Sequence, residues 1–205
     1  MNYKPILFSG EMVRAILDGR KNQTRRVTKD QNLVFTKDGI THLNPNMSPI
    51  KCPYGQVGDR LWVRETFAYL KPNSNESANP DHIHTIAYKA TDKHLDGIKW
   101  KPSIHMPRSA SRITLEITEI RIEKLQDISK EDAIAEGIKS AQLPGEETFN
   151  HRWKDYQAKF IKCGFSCPTD SFRTLWDSIN AKNYPWESNP WVWVIKFKKL
   201  SPEEV

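Results

Sequence analysis

The chain has 205 residues, enough for one domain with insertions, and 38% of them are hydrophobic, with seven Trp and eight Phe to build a core. No apolar run approaches the ~20 residues of a membrane span, and the N-terminus lacks the charged-then-apolar layout of a secretion signal, so a cytoplasmic protein without membrane contact is expected. Three cysteines, an odd number, argue against a disulfide framework, and a formal charge of +6 suits an anionic partner without requiring one.

Residues 4–8 read as a short entry strand. Met12, Val13, Ile16 and Leu17 then recur at helical spacing. Ser9 suits the N-cap, Glu11 the first turn, and Gly19 the left-handed position that ends a helix of about residues 9–18. Residues 27–57 carry Asp38-Gly39, Asn44-Pro45 and Ser48-Pro49, and read as a hairpin or a long irregular connection. Leu61-Trp62-Val63 is a strand with Arg64-Glu65 at its exit. The polar stretch Lys71 to Asp81 reads as a mobile surface loop, and Ile83 to Tyr88 as the strand that follows it.

Clean period-two alternation marks Ile113, Leu115 and Ile117, after which the apolar phase flips to Ile120 and Ile122. A one-residue flip of that kind is what a β-bulge produces. Ser129 caps the next helix, Glu131 and Asp132 fill its first turn, and Gly137 follows its end. Trp153, Tyr156 and Phe160 predict a helix over residues 150–162. Phe172, Leu175, Trp176 and Ile179 predict another over 170–180. The last strand sets Trp191, Trp193, Ile195 and Phe197 on one face, with Val192 and Val194 on the other. Short strands, a bulge and three or four helices indicate an α+β fold.

The densest chemistry lies in Gly19-Arg20-Lys21-Asn22-Gln23-Thr24-Arg25-Arg26. Lys21 and Thr24 are three residues apart, so a further helical turn or a tight loop places both on one side. A neutral lysine beside a hydroxyl can activate it as a nucleophile, and neighbouring arginines favour the neutral amine. A solvated basic turn is the plainer alternative. Glu136 ends its helix, where the negative helix terminus disfavours an anion, so it reads either as an exposed glutamate or as a carboxylate able to shuttle protons. Glu65, following Arg64 at the strand exit, is a rival carboxylate or half of a surface ion pair. Trp100 and Trp186 lie in turn-rich stretches near lysine and proline and are the stacking candidates. Cys163 and Cys167 have tolerable spacing for zinc with His105 or His151, but Cys52 is distant and no second close pair exists, so no metal is expected.

Gly19-x-Lys21 followed by Arg26 resembles the G-x-K-x-x-E-x-R signature of the ASCH domains, a branch of the PUA-like superfamily. Thr24 stands where the commonest form has glutamate, as in the G-R-K-x-x-T-x-R version of the ASCH amidohydrolases that act on N4-acetylcytidine. Gly58-Asp59-Arg60-Leu61 resembles the family's strand entry, and Ser129 to Gly137 its short helix ending in a carboxylate. Cys52-Pro53-Tyr54-Gly55 through Glu65 and Asn189 to Val194 resemble the ASCH-like proteins of phages and prophages.

The resemblance implies a small PUA-like β-barrel with helices packed around it, spanning residues 1–205 as one domain with an insertion near 140–170. It implies a hydrolase acting on a modified nucleoside or RNA, most specifically an N4-acetylcytidine amidohydrolase, without metal or cofactor. Lys21, Thr24 and Glu136 would be catalytic, converging on one cavity. Arg26, Arg20, Glu65, Trp100 and Trp186 would bind substrate. An RNA-binding module or ribonuclease using the same basic pocket, and a non-catalytic phage accessory protein, are the alternatives.

The Lys71–Asp81 stretch offers almost no apolar area to a core. Replacing it with a short Gly/Ser linker should shift unfolding free energy by less than about 1 kcal/mol, because loop closure depends weakly on length. Loss of the cooperative transition in a urea titration would show the stretch to be a packed element.

Overall fold

The computed structural model describes residues 2–35, 42–43, 50–70, 85–92, 94–141, 152–158 and 164–204. In chain order the elements are β1 (Tyr3–Leu7), α1 (Gly10–Leu17), β2 (Gln23–Val27), β3 (Val34–Phe35), β4 (His42–Leu43), β5 (Arg60–Arg64), β6 (Phe67–Tyr69), β7 (Ile86–Tyr88), β8 (Thr114–Lys124), α2 (Lys130–Ala135), β9 (Ser140–Ala141), β10 (Arg152–Trp153), α3 (Pro168–Asn180) and β11 (Trp191–Lys199). The expected loop near 71–81 lies outside the described residues, as do 142–151 and 159–163 of the expected insertion. No described helix is long and apolar enough to cross a membrane.

A five-stranded sheet in the order β1-β5-β8-β11-β2 organises this α+β fold, and β3–β4, β6–β7 and β9–β10 form three short antiparallel pairs. Only β1–β5 is parallel within the large sheet. The flip of apolar phase on β8 has its cause in the ladder with β11. Lys196 pairs with Glu119 but Phe197 pairs with Ile117, so Thr118 is the extra residue and the side chains beyond it exchange faces. The sheet curls until its two edges nearly meet: Arg26 on β2 donates to the Leu7 carbonyl of β1 at 2.7 Å. No backbone ladder joins those edges among the described residues.

Both faces of β11 are buried. Trp193, Ile195 and Phe197 meet Ile6, Phe8, Val63, Leu115 and Ile117 inside the curl, together with Val13 and Ile16 of α1. Val192 and Val194 pack outward against Ala133 of α2 and Phe172 and Trp176 of α3. This double burial explains why the strand reads as a nearly continuous apolar run.

Residues 152–158 are not helical, contrary to the expectation from Trp153 and Tyr156. Trp153 exchanges both backbone hydrogen bonds with Phe165 at 2.8 Å and pairs with Ser140. The backbone there is satisfied by distant chain, which overrides the local apolar spacing; Phe160 lies outside the described residues.

The ends of α1 and α2 control the site. Gly19 (φ +73°) closes α1 in a Schellman arrangement, with Gly19 N donating to Ile16 O and Arg20 N to Ala15 O. Gly137 (φ +85°) ends α2, its N donating to Ile134 O at 2.8 Å, and a Cβ there would stand 2.8 Å from Lys21 Cβ and 2.9 Å from Ala15 Cβ. At Gly19 an added Cβ meets nothing within 4 Å. Gly19→Ala should therefore cost only the left-handed penalty, about 1–2 kcal/mol. Gly137→Ala should cost about 1–3 kcal/mol more, from overpacking against Lys21 and Ala15. Urea midpoints of the two variants check the difference, and equal midpoints would refute the close contact.

Candidate functional site

Lys21 leaves α1 directly into contact with the end of α2. The Ala15 carbonyl accepts from Lys21 N at 2.9 Å, Lys21 and Glu136 form an isolated antiparallel bridge, and Asn22 N donates to Ala135 O at 3.0 Å. Residues 115 positions apart thereby share one point in space. Lys21 Nζ donates to Glu136 Oε2 at 2.7 Å, to the Glu136 carbonyl at 2.9 Å and to the Gln23 carbonyl at 2.6 Å. Three acceptors match the three protons of an ammonium. Burial pushes the Lys21 amine below the ordinary lysine value; the Glu136 carboxylate opposes that shift, and the Arg26 and Arg25 charges add to it.

Glu136 is shared. Its Oε1 accepts from Arg25 Nη1 at 3.1 Å, and Arg25, whose side chain is fully buried, also bonds Glu123 and Asp132. Arg121 completes the set, holding Glu119, Glu123 and Asp132. The Gln23 amide, oriented by its neighbours, turns its nitrogen to Asp132 Oδ1 and its oxygen to Arg25 Nη1. Sheet register explains the convergence. Arg25 and Arg121 both pair with Val194, while Glu119 and Gln23 both pair with Lys196, so all project from the sheet face covered by α2.

The three-residue spacing of Lys21 and Thr24 does not put them on one helical face, because Gln23–Val27 is a strand. Thr24 alternates away from Arg25, pairs with Ile195 and turns to the interior of the curl. It is buried, and among the described residues its hydroxyl has no hydrogen-bond partner and is not one of the three Lys21 acceptors. Arg26 shares that face, its guanidinium 5.3 Å from the centre of the Phe8 ring, and Lys21 Nζ stands 5.7 Å from the same centre. Both cations thus lie within about 6 Å of the centre of one aromatic ring.

The remaining expected site residues scatter. Arg20 donates to the Gly137 carbonyl at 3.0 Å and to Asp18 at 2.8 Å, bracing the α2 terminus from outside. Glu65 is buried and gripped by Arg112 through both carboxylate oxygens at 2.9 and 3.1 Å, an ion pair apart from Lys21. Trp186 is half-buried and packs edge-on to Phe172, 6.2 Å between centres, against the core under α3 and away from Lys21. Trp100 lines a separate cavity beside α1 and α3. Cys163 and His151 lie outside the described residues, and no group of three metal-ligand side chains occurs among the described ones.

Arg25, Asp132, Glu123 and Arg121 were not foreseen as parts of this site. A signal existed: Glu119, Arg121 and Glu123 alternate in sign at period two, which on a strand puts all three on one face. Compared with protein-family models, curated proteins and solved structures, the chain matches none.

Acid should dismantle the cluster. Burial raises the Asp132 carboxyl, but Arg121 and Arg25 outweigh it and hold it below the usual range; Glu119 is lowered by the hydrogen bonds of Lys196 and Arg121. A carboxyl whose folded pKa lies below its unfolded value binds more protons unfolded, so its stabilisation is complete above the ordinary carboxylate value. It is lost as pH falls through the lowered one, below about pH 4. Urea midpoints measured from pH 7 down to 3 should fall across that window, and Asp132→Asn should flatten the fall. An unchanged slope would remove Asp132 from the linkage.

Proposed function

We propose that the chain is an ASCH-type hydrolase of a modified nucleoside or RNA, most specifically one that cleaves the amide of N4-acetylcytidine, on a sheet that is a variant of the PUA-like barrel. The observation that carries the reading is the Lys21–Glu136 pairing at 2.7 Å, which joins the two ends of the resembled catalytic set across 115 positions.

The chemistry follows from that pair. A proton moving from the Lys21 ammonium to Glu136 Oε2 leaves a neutral amine, a change favoured by burial because it removes two opposite charges from a low-dielectric site. The amine then takes the Thr24 proton. Thr24 Oγ1 attacks the acetyl carbonyl, and Arg26 steadies the oxyanion. The carbon–N4 bond breaks, N4 takes a proton from Glu136 or Lys21, and water hydrolyses the threonyl ester to acetate. The free Thr24 hydroxyl supports this scheme, since no competing hydrogen bond has to be broken among the described residues.

A second reading, an RNA-binding module or ribonuclease on the same basic pocket, draws on the completeness of the Lys21 contacts. An amine with all three protons engaged is a fixed cation before it is a base.

Incubation with N4-acetylcytidine and with acetylated RNA, with cytidine release followed by chromatography, separates the two. Thr24→Ala should lower turnover by at least about a hundredfold, and Thr24→Ser should retain part of it. Lys21→Arg, verified as folded by circular dichroism, should be as inactive as Lys21→Ala, because a guanidinium does not deprotonate. Near-native turnover of Lys21→Arg ends the lysine-activated scheme, and salt-dependent RNA binding without turnover selects the second reading.

A further inference from the structure

A cavity of about 640 Å³ lies between the start of α1, the exposed side of α3 and Trp100, and none of Lys21, Thr24 or Glu136 lines it. That volume is in the range of small-molecule sites, roughly 300–1,000 Å³. Its apolar wall is made by Trp100, Leu175 and Ile179. Ile179 continues the apolar stripe of α3 yet is 53% exposed, so the stripe runs out of protein to cover it. The Trp100 ring has no aromatic or cationic partner among the described residues, and its place is fixed by the next residue, since Lys101 N donates to Phe67 O at 2.8 Å and Lys101 O accepts from Phe67 N at 3.2 Å.

Two cations share the cavity without counter-ions. Arg14 Nη1 donates to the Ala90 carbonyl at 2.9 Å, which holds the guanidinium in place and leaves its other donors free. Neither Arg14 nor Lys89 forms an ion pair among the described residues. The one acid of the lining, Glu11, has its own cation in Lys154 at 3.5 Å. A purely apolar ligand would desolvate Arg14 without compensation, and a cation would be repelled. A planar ring carrying an anion satisfies both walls.

We propose that this cavity binds a nucleotide, with the base stacked on the Trp100 indole and the phosphate held by Arg14 and Lys89. The site is independent of the acyl-transfer reading and shares no residue with it. The nucleotide can be free or one residue of a single strand, and both present the same ring and phosphate.

Calorimetric titration of the full chain with CMP, AMP, cytidine and a single-stranded RNA octamer tests this. CMP or AMP should bind more tightly than cytidine if the ligand is free, while binding of the octamer alone would identify a strand; either supports the site. Base stacking contributes about 1–3 kcal/mol, so Trp100→Ala should weaken binding between about five- and 150-fold. Trp100→Phe should retain most affinity, which controls for any loss of fold. Arg14→Gln should weaken nucleotide binding toward that of the nucleoside, and the Arg14→Gln/Lys89→Gln pair should bring the two level. Absence of binding by every phosphate-bearing probe, or a folded Trp100→Ala that binds like the wild type, would overturn the proposal.

Discussion

A lysine and an arginine withdrawn from water, bridged by one glutamate, set the terms for the rest of the molecule. Unpaired, either cation would be very costly in the interior, and breaking such a pair by removing one partner costs about 3–5 kcal/mol. Lys21, Arg25 and Arg121 are therefore matched by Glu123, Asp132 and Glu136, with Glu119 at the exposed rim. The cluster ties the exit of α1, the edge strand β2, the long strand β8 and the end of α2 into one unit. Arg25 extends it to α3 by lying 5.7 Å from the centre of the Phe172 ring.

That requirement shapes the backbone around it. Lys21 reaches Glu136 only because α1 and α2 both terminate in left-handed glycines and because Gly137 presents no Cβ to Lys21 and Ala15. The bulge at Thr118 matters equally. It exchanges the faces of β8 so that Glu119, Arg121 and Glu123 point to α2, while Ile117 before it and Ile122 beyond it both face the apolar interior. A regular ladder running through Thr118 without the bulge would turn the charged row toward Phe197 and Trp193.

The same geometry places chemical potential beside structural need. Lys21 bonds a carboxylate and lies 5.7 Å from the centre of the Phe8 ring, to which Arg26 of the interior face also comes close. On the proposed reading, the amine needed for folding and the amine that transfers protons are one group, so the residues that tune the first tune the second. Polar groups kept in an interior against the simpler apolar solution are where local rules yield to function.

Much of the local structure was legible in the chain. Ser9, Ser129, Gly19 and Gly137 marked the limits of α1 and α2, the stripe from Phe172 to Ile179 marked α3, and the phase flip on β8 marked the bulge, because caps, periodicity and bulges depend on neighbours within a few residues. The pairing of Lys21 with Glu136 was expected from resemblance alone; no spacing in the sequence implies it. The partners of Arg25, the isolation of Glu65 with Arg112, the packing of Trp186 against Phe172 and the failure of the 152–158 helix were decided by the tertiary structure. Each depends on which strands lie side by side and in what register, and that is set by burying both faces of β11 at once, a condition spread over the whole chain and carried by no single segment of it.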